Sequence, residues 1–191
     1  MQGFLSVGYI LISLLFSLAL FSLWGRLILR ALKVSALHPI NQLIDKLTDP
    51  VVKPIETILA SKNYLQRAYD LPCLIAIILV GLLKFIILGF FLYGNLLPIG
   101  YLFLFVSSDL IVQPCNLFFY LILIRIVMSY IQPHWQGPSA EIIKRLTDPL
   151  LVLGRKLIPD ISGFDFSPFI IIVILKIIVL FMSANLPLRL A

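Results

Sequence analysis

The sequence predicts an all-α membrane protein of two tandem modules, each consisting of a transmembrane helix, an interfacial helical hairpin and a second transmembrane helix. Three observations lead to this prediction. Hydrophobic residues make up 61% of the 191 positions and charged residues only 13%, whereas soluble domains are about 45–50% apolar and about 25% charged. Four apolar runs are long enough to cross a bilayer, and the motif Leu-Thr-Asp-Pro occurs twice.

The four predicted spans follow from the lengths of these runs. A bilayer core of about 30 Å needs about 20 helical residues, because each backbone polar group must be satisfied within the segment. The qualifying runs are residues 4–25, 72–93, 110–131 and 168–186. A shorter run, Leu96–Val106, lies in a connector at 96–109 that ends in the polar Ser107-Ser108-Asp109. We expect this run to be a re-entrant or interfacial piece.

The repeated motif lies at the same distance from an arginine in both halves. Arg26 precedes the motif at 47–50 by the same interval that separates Arg125 from the motif at 146–149. Fixed self-similarity of this kind indicates a duplicated structural unit. The sequence therefore divides into two modules, at 1–95 and 110–191.

The distribution of charge predicts the orientation. Of the fifteen Lys and Arg residues, seven lie between Arg26 and Arg67 and five between Arg125 and Lys156. Because cytoplasmic loops carry an excess of Lys and Arg, both motif loops are expected in the cytoplasm and both chain termini outside. The predicted location is the inner membrane of a bacterium. The charges flank apolar spans, so the membrane accounts for them and no contact with nucleic acid is indicated.

Each motif loop is expected to form two short amphipathic helices in the headgroup plane. Within each motif, the threonine interrupts the first helix, the aspartate caps the second, and the proline is its first residue. These residues are Thr48, Asp49 and Pro50 in the first copy and Thr147, Asp148 and Pro149 in the second. A similar signal, with Asp165 as cap before Ser167 and Pro168, is expected to start the last span, and Asp70-Leu71-Pro72 is expected to start the second span. Capping alone explains these residue types, and a binding role for the two turns stays open.

Two arginines at span ends have two interpretations. Arg26 and Arg125 follow spans one and three, where a long cationic side chain can extend to lipid phosphate. Their identical placement favours a second hypothesis, in which Arg26 pairs with Asp49 and Arg125 with Asp148, so that each pair holds a motif loop against its own span.

Lys84 and Lys176 lie inside predicted spans, where a charge costs about 2.5–3.5 kcal/mol on insertion scales. All nine Asp and Glu residues fall outside the four spans, so no intramembrane carboxylate is expected as a partner, which weakens a proton- or cation-coupled transport role. The lysines either bond to carbonyl groups or reach the interface by their long stems, or they hold an anionic group between the modules.

No catalytic constellation is found in the sequence. HExxH, a glycine-rich phosphate loop and G-x-S-x-G are all missing. Cys73 and Cys115 show no CxxC or Cys/His spacing, so they are expected to be small buried hydrophobes rather than zinc ligands. We therefore expect no enzyme activity, no metal and no cofactor.

The repeated pattern resembles the YggT family of small bacterial membrane proteins. The second half carries it most fully: Arg125, the motif at 146–149, Arg155-Lys156, Pro159 and Asp165-Phe166-Ser167-Pro168. It departs at Leu153, where the family tends to have proline. The first half has Glu56 where arginine is expected and a reduced Asp70-Leu71-Pro72.

The resemblance implies roles in cell division, osmotic stress tolerance or cytochrome maturation, and no enzyme activity. The leading hypothesis is a non-enzymatic protein that organises membrane or assists assembly of a membrane complex. Its partners would be lipids and membrane-complex or division proteins, with a homo-oligomer left open. The residues expected to face lipid or partners are Lys144, Arg145, Arg155 and Lys156. The alternative hypothesis is a small osmotically relevant channel or transporter whose intramembrane lysines line an anion path.

Overall fold

The computed structural model describes residues 2–34, 38–59, 70–131, 137–157 and 165–184. These ranges form six α-helices: α1 (Gln2–Ala31), α2 (Pro39–Leu59), α3 (Leu71–Tyr93), α4 (Ile99–Ile131), α5 (Pro138–Leu157) and α6 (Ser167–Ala184). Four of them, α1, α3, α4 and α6, are long and apolar enough to cross a membrane. The prediction of an all-α protein with four apolar candidate spans is confirmed.

Aspartate side chains cap two of these long helices. Asp70 accepts a hydrogen bond of 3.3 Å from the backbone amide of Cys73 at the start of α3. Asp165 accepts one of 2.9 Å from the amide of Ser167 and another from the Ser167 hydroxyl, directly before Pro168 in α6. Proline suits the first helical turn because its missing amide would have no partner there. The predicted starts of both helices are confirmed.

The predicted helical hairpins are wrong, because α2 and α5 are each one continuous helix. Each motif lies inside its helix, where its aspartate caps no new helix and its threonine hydroxyl donates to a carbonyl oxygen one turn earlier instead of interrupting the helix. The bonds are Thr48 to Ile44 (2.8 Å) and Thr147 to Ile143 (2.7 Å). Pro50 and Pro149 also lie in the helix interior, where each removes one backbone hydrogen bond.

The expectation of a separate re-entrant or interfacial piece at 96–106 is also wrong, because residues 99–106 are the first part of α4, which continues through Ser107-Ser108-Asp109 without interruption. α3 ends at Gly94, whose φ of 67° is left-handed, and α4 begins five residues later at Ile99. Within α4, the Ser107 hydroxyl donates to the carbonyl oxygen of Leu104 at 3.0 Å. The Ser107 hydroxyl is thus satisfied within the helix, and Asp109 is satisfied from α3, so the polar residues do not end α4.

The helices pack as two similar groups joined along α4. In the first group α1 packs against α2 and α3, and α2 also contacts α3; in the second, α4 packs against α5 and α6, and α5 also contacts α6. α4 additionally packs against α1 and α3. The first group is centred on Leu20, Leu23, Val52, Cys73, Ala76 and Ile77, and the second on Ile122, Leu151, Ile171 and Leu175. The rings of Phe85 and Phe105 stack between α3 and α4 at 5.3 Å.

Candidate functional site

The Arg26 side chain joins α1 to the middle of α2. Its Nη1 donates hydrogen bonds of 2.8 Å to both Thr48 Oγ1 and Asp49 Oδ1. Only 2% of the residue is exposed. Charge-assisted bonds of this length are among the stronger hydrogen bonds in proteins. The hypothesised pairing of Arg26 with Asp49 is present in the structure.

Arg26 is surrounded by further charged groups from three helices. Its guanidinium nitrogens lie 3.5 Å from carboxylate oxygens of Asp45, Glu56 and Asp70. Arg30 Nη1 lies 2.6 Å from Asp70 Oδ2, and Lys53 Nζ lies 2.8 Å from Asp49 Oδ2. Four carboxylates thus face three cations. This network explains how a buried arginine is tolerated, since oxygens of four carboxylates lie within 3.5 Å of its guanidinium nitrogens.

Arg125 makes the same two bonds in the second half. Its Nη1 donates to Thr147 Oγ1 and to Asp148 Oδ1, both at 2.6 Å. The Arg125 side chain is 23% exposed, so it is far less enclosed than Arg26. The second hypothesised pair, Arg125 with Asp148, is therefore also present. We name the two sites the Arg26 anchor (Arg26, Thr48, Asp49) and the Arg125 anchor (Arg125, Thr147, Asp148).

The two anchors differ in the charges around them. Positions 45 and 56, which are Asp and Glu beside Arg26, correspond in the second motif copy to Lys144 and Arg155. Arg155 instead pairs with Asp165, with Nη2 2.7 Å from Oδ2. The aspartate that caps the following helix is thus held by an arginine in both halves, from α1 in the first and from α5 in the second.

Hydrogen bonds lower the pKa of two aspartates outside the candidate spans. The Lys53 ammonium, followed by the Arg26 guanidinium, lowers the pKa of Asp49. For Asp165, burial acts to raise the pKa, but bonds from Ser167 and Arg155 outweigh it and the pKa is lowered. Both groups are therefore carboxylates at neutral pH.

The expectation that no carboxylate lies inside the spans is wrong. Asp109 is part of α4, the third candidate span. Its Oδ2 lies 2.9 Å from Nζ of Lys84 in α3, and the two side chains are 13% and 5% exposed, respectively. Gln113 Nε2 donates to the second carboxylate oxygen at 3.1 Å. A signal for this pair exists in the sequence: one acidic residue within a long, otherwise apolar stretch.

A small cavity adjoins this pair where α1, α3 and α4 meet. Its volume is about 10 Å³, close to the minimum that one water molecule requires. Leu20, Trp24, Ile77, Gly81, Val106, Asp109, Leu110 and Gln113 line it. Its size excludes a substrate or an organic cofactor in this conformation.

Lys176 has a different environment from Lys84. Its Nζ lies 3.9 Å from the centroid of the Phe119 ring on α4, within the range of a cation–π contact. Lys84 faces Asp109 and Lys176 faces an aromatic ring, so the two lysines do not share a binding group.

The outer surface of α5 is strongly basic. Lys144, Arg145, Arg155 and Lys156 are all exposed, as predicted for residues that face lipid or partners. Arg145 pairs with Glu141 at 2.6 Å along the same helix, and Arg155 is held by Asp165. We name Lys144, Arg145, Arg155 and Lys156 the α5 basic surface. Across the described ranges, His, Cys, Asp and Glu side chains form no group of three that could hold a metal ion.

Four candidate spans and two shorter helices, each held to a span by an arginine, define an α-helical membrane protein. The chain belongs to the CCB3/YggT family, whose model matches residues 5–91 and 104–186. This confirms the family expected from the motifs.

Relatives of similar length are found in several bacteria. The YggT protein of Escherichia coli is 30% identical over 145 residues, or 74% of this chain and 70% of its own length. A Haemophilus influenzae protein is 31% identical over 153 residues, covering 78% of each chain. A Pseudomonas aeruginosa protein is 26% identical over 190 residues, covering 97% of this chain and 93% of its own. No solved structure matches the chain.

Proposed function

We propose that this chain is a non-enzymatic protein that organises the bacterial inner membrane or assists assembly of a membrane complex there. In this proposal its two modules are tandem and face the same way. Helices α2 and α5 lie at the cytoplasmic surface, and both chain ends lie outside.

Side-chain packing between the modules supports the common orientation. Leu29, at the end of α1 that carries Arg26, packs with Ile142 and Leu146 of α5. Helix α5 therefore lies at the same end of the bundle as α2. Since α4 is one helix, only α3 and α4 separate α2 from α5 along the chain, and two crossings return the chain to the side where it began.

The observation that carries the proposed function is the fixed α5 basic surface. The Arg125 anchor holds the middle of α5 against α4, and the ion pair of Arg155 with Asp165 holds its end beside α6. Lys144, Arg145 and Lys156 remain exposed around these two fixed points. Each such cation near a membrane surface contributes about 1 kcal/mol of attraction to anionic headgroups. A fixed cationic surface beside the bilayer suits recruitment better than catalysis.

The test neutralises this surface without disturbing the anchors. Lys144→Gln, Arg145→Gln and Lys156→Gln are combined, and Arg155 is kept because it holds Asp165. We expect the variant to insert normally but to co-purify with several-fold less anionic lipid and fewer membrane proteins, as measured by quantitative mass spectrometry. The control, Lys46→Gln at an exposed lysine of α2 outside the Arg26 network, is expected to retain both the lipid and the proteins. Unchanged lipid and protein recovery from the triple variant would exclude the α5 basic surface as the recruiting site.

The family resemblance suggests which complexes to examine. Cell division, osmotic tolerance and cytochrome maturation each predict a distinct defect in a deletion strain: longer cells, growth loss after an osmotic shift, or loss of a haem-protein absorbance. The triple variant should reproduce the defect that the deletion causes, and the α2 control should restore normal growth.

The alternative, a channel or transporter with lysines along an anion path, loses part of its support. Lys84 is already neutralised by Asp109 at 2.9 Å, and Lys176 lies against an aromatic ring. If the alternative is correct, purified protein in liposomes conducts anions, and Lys84→Met with Lys176→Met abolishes the flux.

A further inference from the structure

Equivalent apolar residues on α2 and α5 have opposite exposure. Leu43 and Leu47 lie 99 residues before Ile142 and Leu146, the same shift that relates Arg26 to Arg125. Ile142 and Leu146 are buried, with 4% and 6% of each residue exposed, whereas Leu43 and Leu47 are both 62% exposed. The two pairs have the same place in their modules, but only the pair on α5 is covered by other parts of the chain.

The burial of the α5 pair comes from the first module. Ile142 and Leu146 form a cluster with Leu29 of α1, surrounded by Ile28, Val34, Ile40 and Ile44 from the first module and by Leu121 from α4. Helix α5 thus inserts two apolar side chains into a surface made by the end of α1 and the start of α2. We name this arrangement the inter-module contact.

The second module carries the counterpart of the surface that receives α5. The same shift of 99 residues relates Ile28, Leu29 and Ile44 to Val127, Met128 and Ile143. Val127 is 43% exposed, and Met128 and Ile143 are partly exposed, although Leu29 is almost fully buried. The chain therefore makes the inter-module contact once and leaves both sides of a second such contact at its surface.

We propose that a second copy of this chain fills this contact, with Leu43 and Leu47 of one copy packed on Val127, Met128 and Ile143 of the next. The proposal rests on the tandem equivalence of the modules stated under the proposed function. Three of the first-module positions that receive α5 within one chain are also apolar in the second module, at Val127, Met128 and Ile143, whereas Ile40 corresponds to Ser139. The interface is head-to-tail, so it generates a closed ring or an open row of copies.

The test uses single cysteines in two differently tagged copies that are co-expressed, with Cys73 and Cys115 replaced by Ala. Leu47→Cys in one copy and Val127→Cys in the other should form a disulfide on mild oxidation in native membranes. Copies that both carry Leu47→Cys, or both carry Val127→Cys, should crosslink at least several-fold less. As an internal control, Leu29→Cys with Leu146→Cys should form a disulfide within one chain and give no dimer.

Each other result overturns the proposal. Equal crosslinking between two Leu47→Cys copies would mean a symmetric contact. No crosslinking between copies, with the internal control intact, would mean that lipid covers Leu43 and Leu47. A second variant, Leu43→Glu with Leu47→Glu, alters exposed residues only and should abolish dimers in native mass spectrometry, whereas Leu153→Glu, at an exposed leucine of α5, should retain them. Because the α5 basic surface is unaltered in these variants, failure here is distinguishable from failure of the recruitment function.

Discussion

Lys84 Nζ lies 2.9 Å from Asp109 Oδ2, and this ion pair joins α3 to α4 between two candidate spans. Both side chains are largely enclosed, and Gln113 satisfies the remaining carboxylate oxygen. A lone charge in an apolar span is costly, so each residue makes the other acceptable there. The pair links α3 to α4, and its removal tests how these two helices are held together.

Removing one member of this pair should destabilise the protein more than removing both. Lys84→Met or Asp109→Asn alone leaves an uncompensated buried group, for which a loss of about 3–5 kcal/mol is typical. The double variant Lys84→Met with Asp109→Asn should recover much of that loss. Unfolding in detergent gives the free energies of the original protein, the two single variants and the double variant. Additive losses in the double variant would show that the two side chains do not interact.

Lys176→Met provides the matched comparison within a candidate span. Its ammonium has an aromatic partner, and a contact of this kind contributes about 0.5–2 kcal/mol. We expect Lys176→Met to lower the free energy of unfolding clearly less than Lys84→Met does under the same conditions. A loss as large as that of Lys84→Met would mean that the charge of Lys176 has a stronger partner than the Phe119 ring.

The two anchors should differ in strength although their bonds are alike. Arg26→Gln leaves several partly buried carboxylates without their shared cation, so a loss of about 3–5 kcal/mol is expected. The Arg125 pair is more exposed, with 54% of the Asp148 side chain accessible, so Arg125→Gln should cost only about 1 kcal/mol or less. Thermal unfolding of the two arginine variants in the same detergent compares the two losses of stability. A stronger Arg125 anchor would contradict the burial of the two arginines.

Acid should weaken the start of α6. The pKa of Asp165 is lowered in the folded protein, so the folded state binds fewer protons than the unfolded state as pH falls past about 4, the ordinary aspartate value. Its contribution to stability is complete above that pH and is lost as pH falls through the lowered pKa. Asp165→Asn keeps a capping side chain without the charge. We expect the Asp165→Asn variant to have a lower melting temperature at neutral pH. Its melting temperature should also fall less than that of the original protein between about pH 5 and pH 3, the window of carboxylate titration. An equal fall in the two proteins would assign the acid sensitivity to other groups.

The features predicted correctly are those that short-range chemistry determines. The apolar runs gave the spans, and Asp70 and Asp165 marked helix starts because a capping carboxylate needs only nearby amides. The ion pairs of Arg26 and Arg125 could be predicted because each arginine precedes its motif by the same number of residues. The motif at 47–50 was misinterpreted, since Asp49 before Pro50 is also a valid helix start, whereas in the structure Asp49 bonds to Arg26 and α2 continues through the motif.

The Lys84–Asp109 pair was missed for a different reason. Its members are 25 residues apart, and no local rule relates them. Asp109 follows two serines, which suggests a loop, yet in α4 its carboxylate is satisfied by α3 and by Gln113. The difference in burial between Leu47 and Leu146 could not be predicted from the sequence either. Both leucines have the same place in the motif, and only the packing of the helices distinguishes them.

Close packing at Gly154 should make α5 sensitive to a single methyl group. A Cβ there would lie 3.0 Å from Ile171 Cγ1 and Ser167 Cβ and 3.1 Å from the Ser167 carbonyl oxygen. Gly154→Ala therefore forces α5 and α6 apart, and overpacking of this kind costs about 1–3 kcal/mol. Gly100→Ala is the control, since a Cβ in that part of α4 meets no atom within 4 Å, and alanine should stabilise the helix by up to about 1 kcal/mol. Equal melting temperatures for the two variants would contradict the close approach of α5 to Ser167.

The common orientation of α2 and α5 can be tested in intact cells. Thr57 on α2 and Lys156 on α5 are both exposed in the structure, so cysteines at these positions should react with thiol reagents that reach them. With both helices in the cytoplasm, a membrane-impermeant maleimide should label neither Thr57→Cys nor Lys156→Cys until the cells are opened. Asn95 lies in the turn that joins the end of α3 to the start of α4, at the end of the bundle opposite to α2 and α5. Asn95→Cys should therefore be labelled in intact cells. Labelling of only one of the first two positions before lysis would place α2 and α5 on opposite sides, which is incompatible with the packing of Leu29 against Ile142 and Leu146.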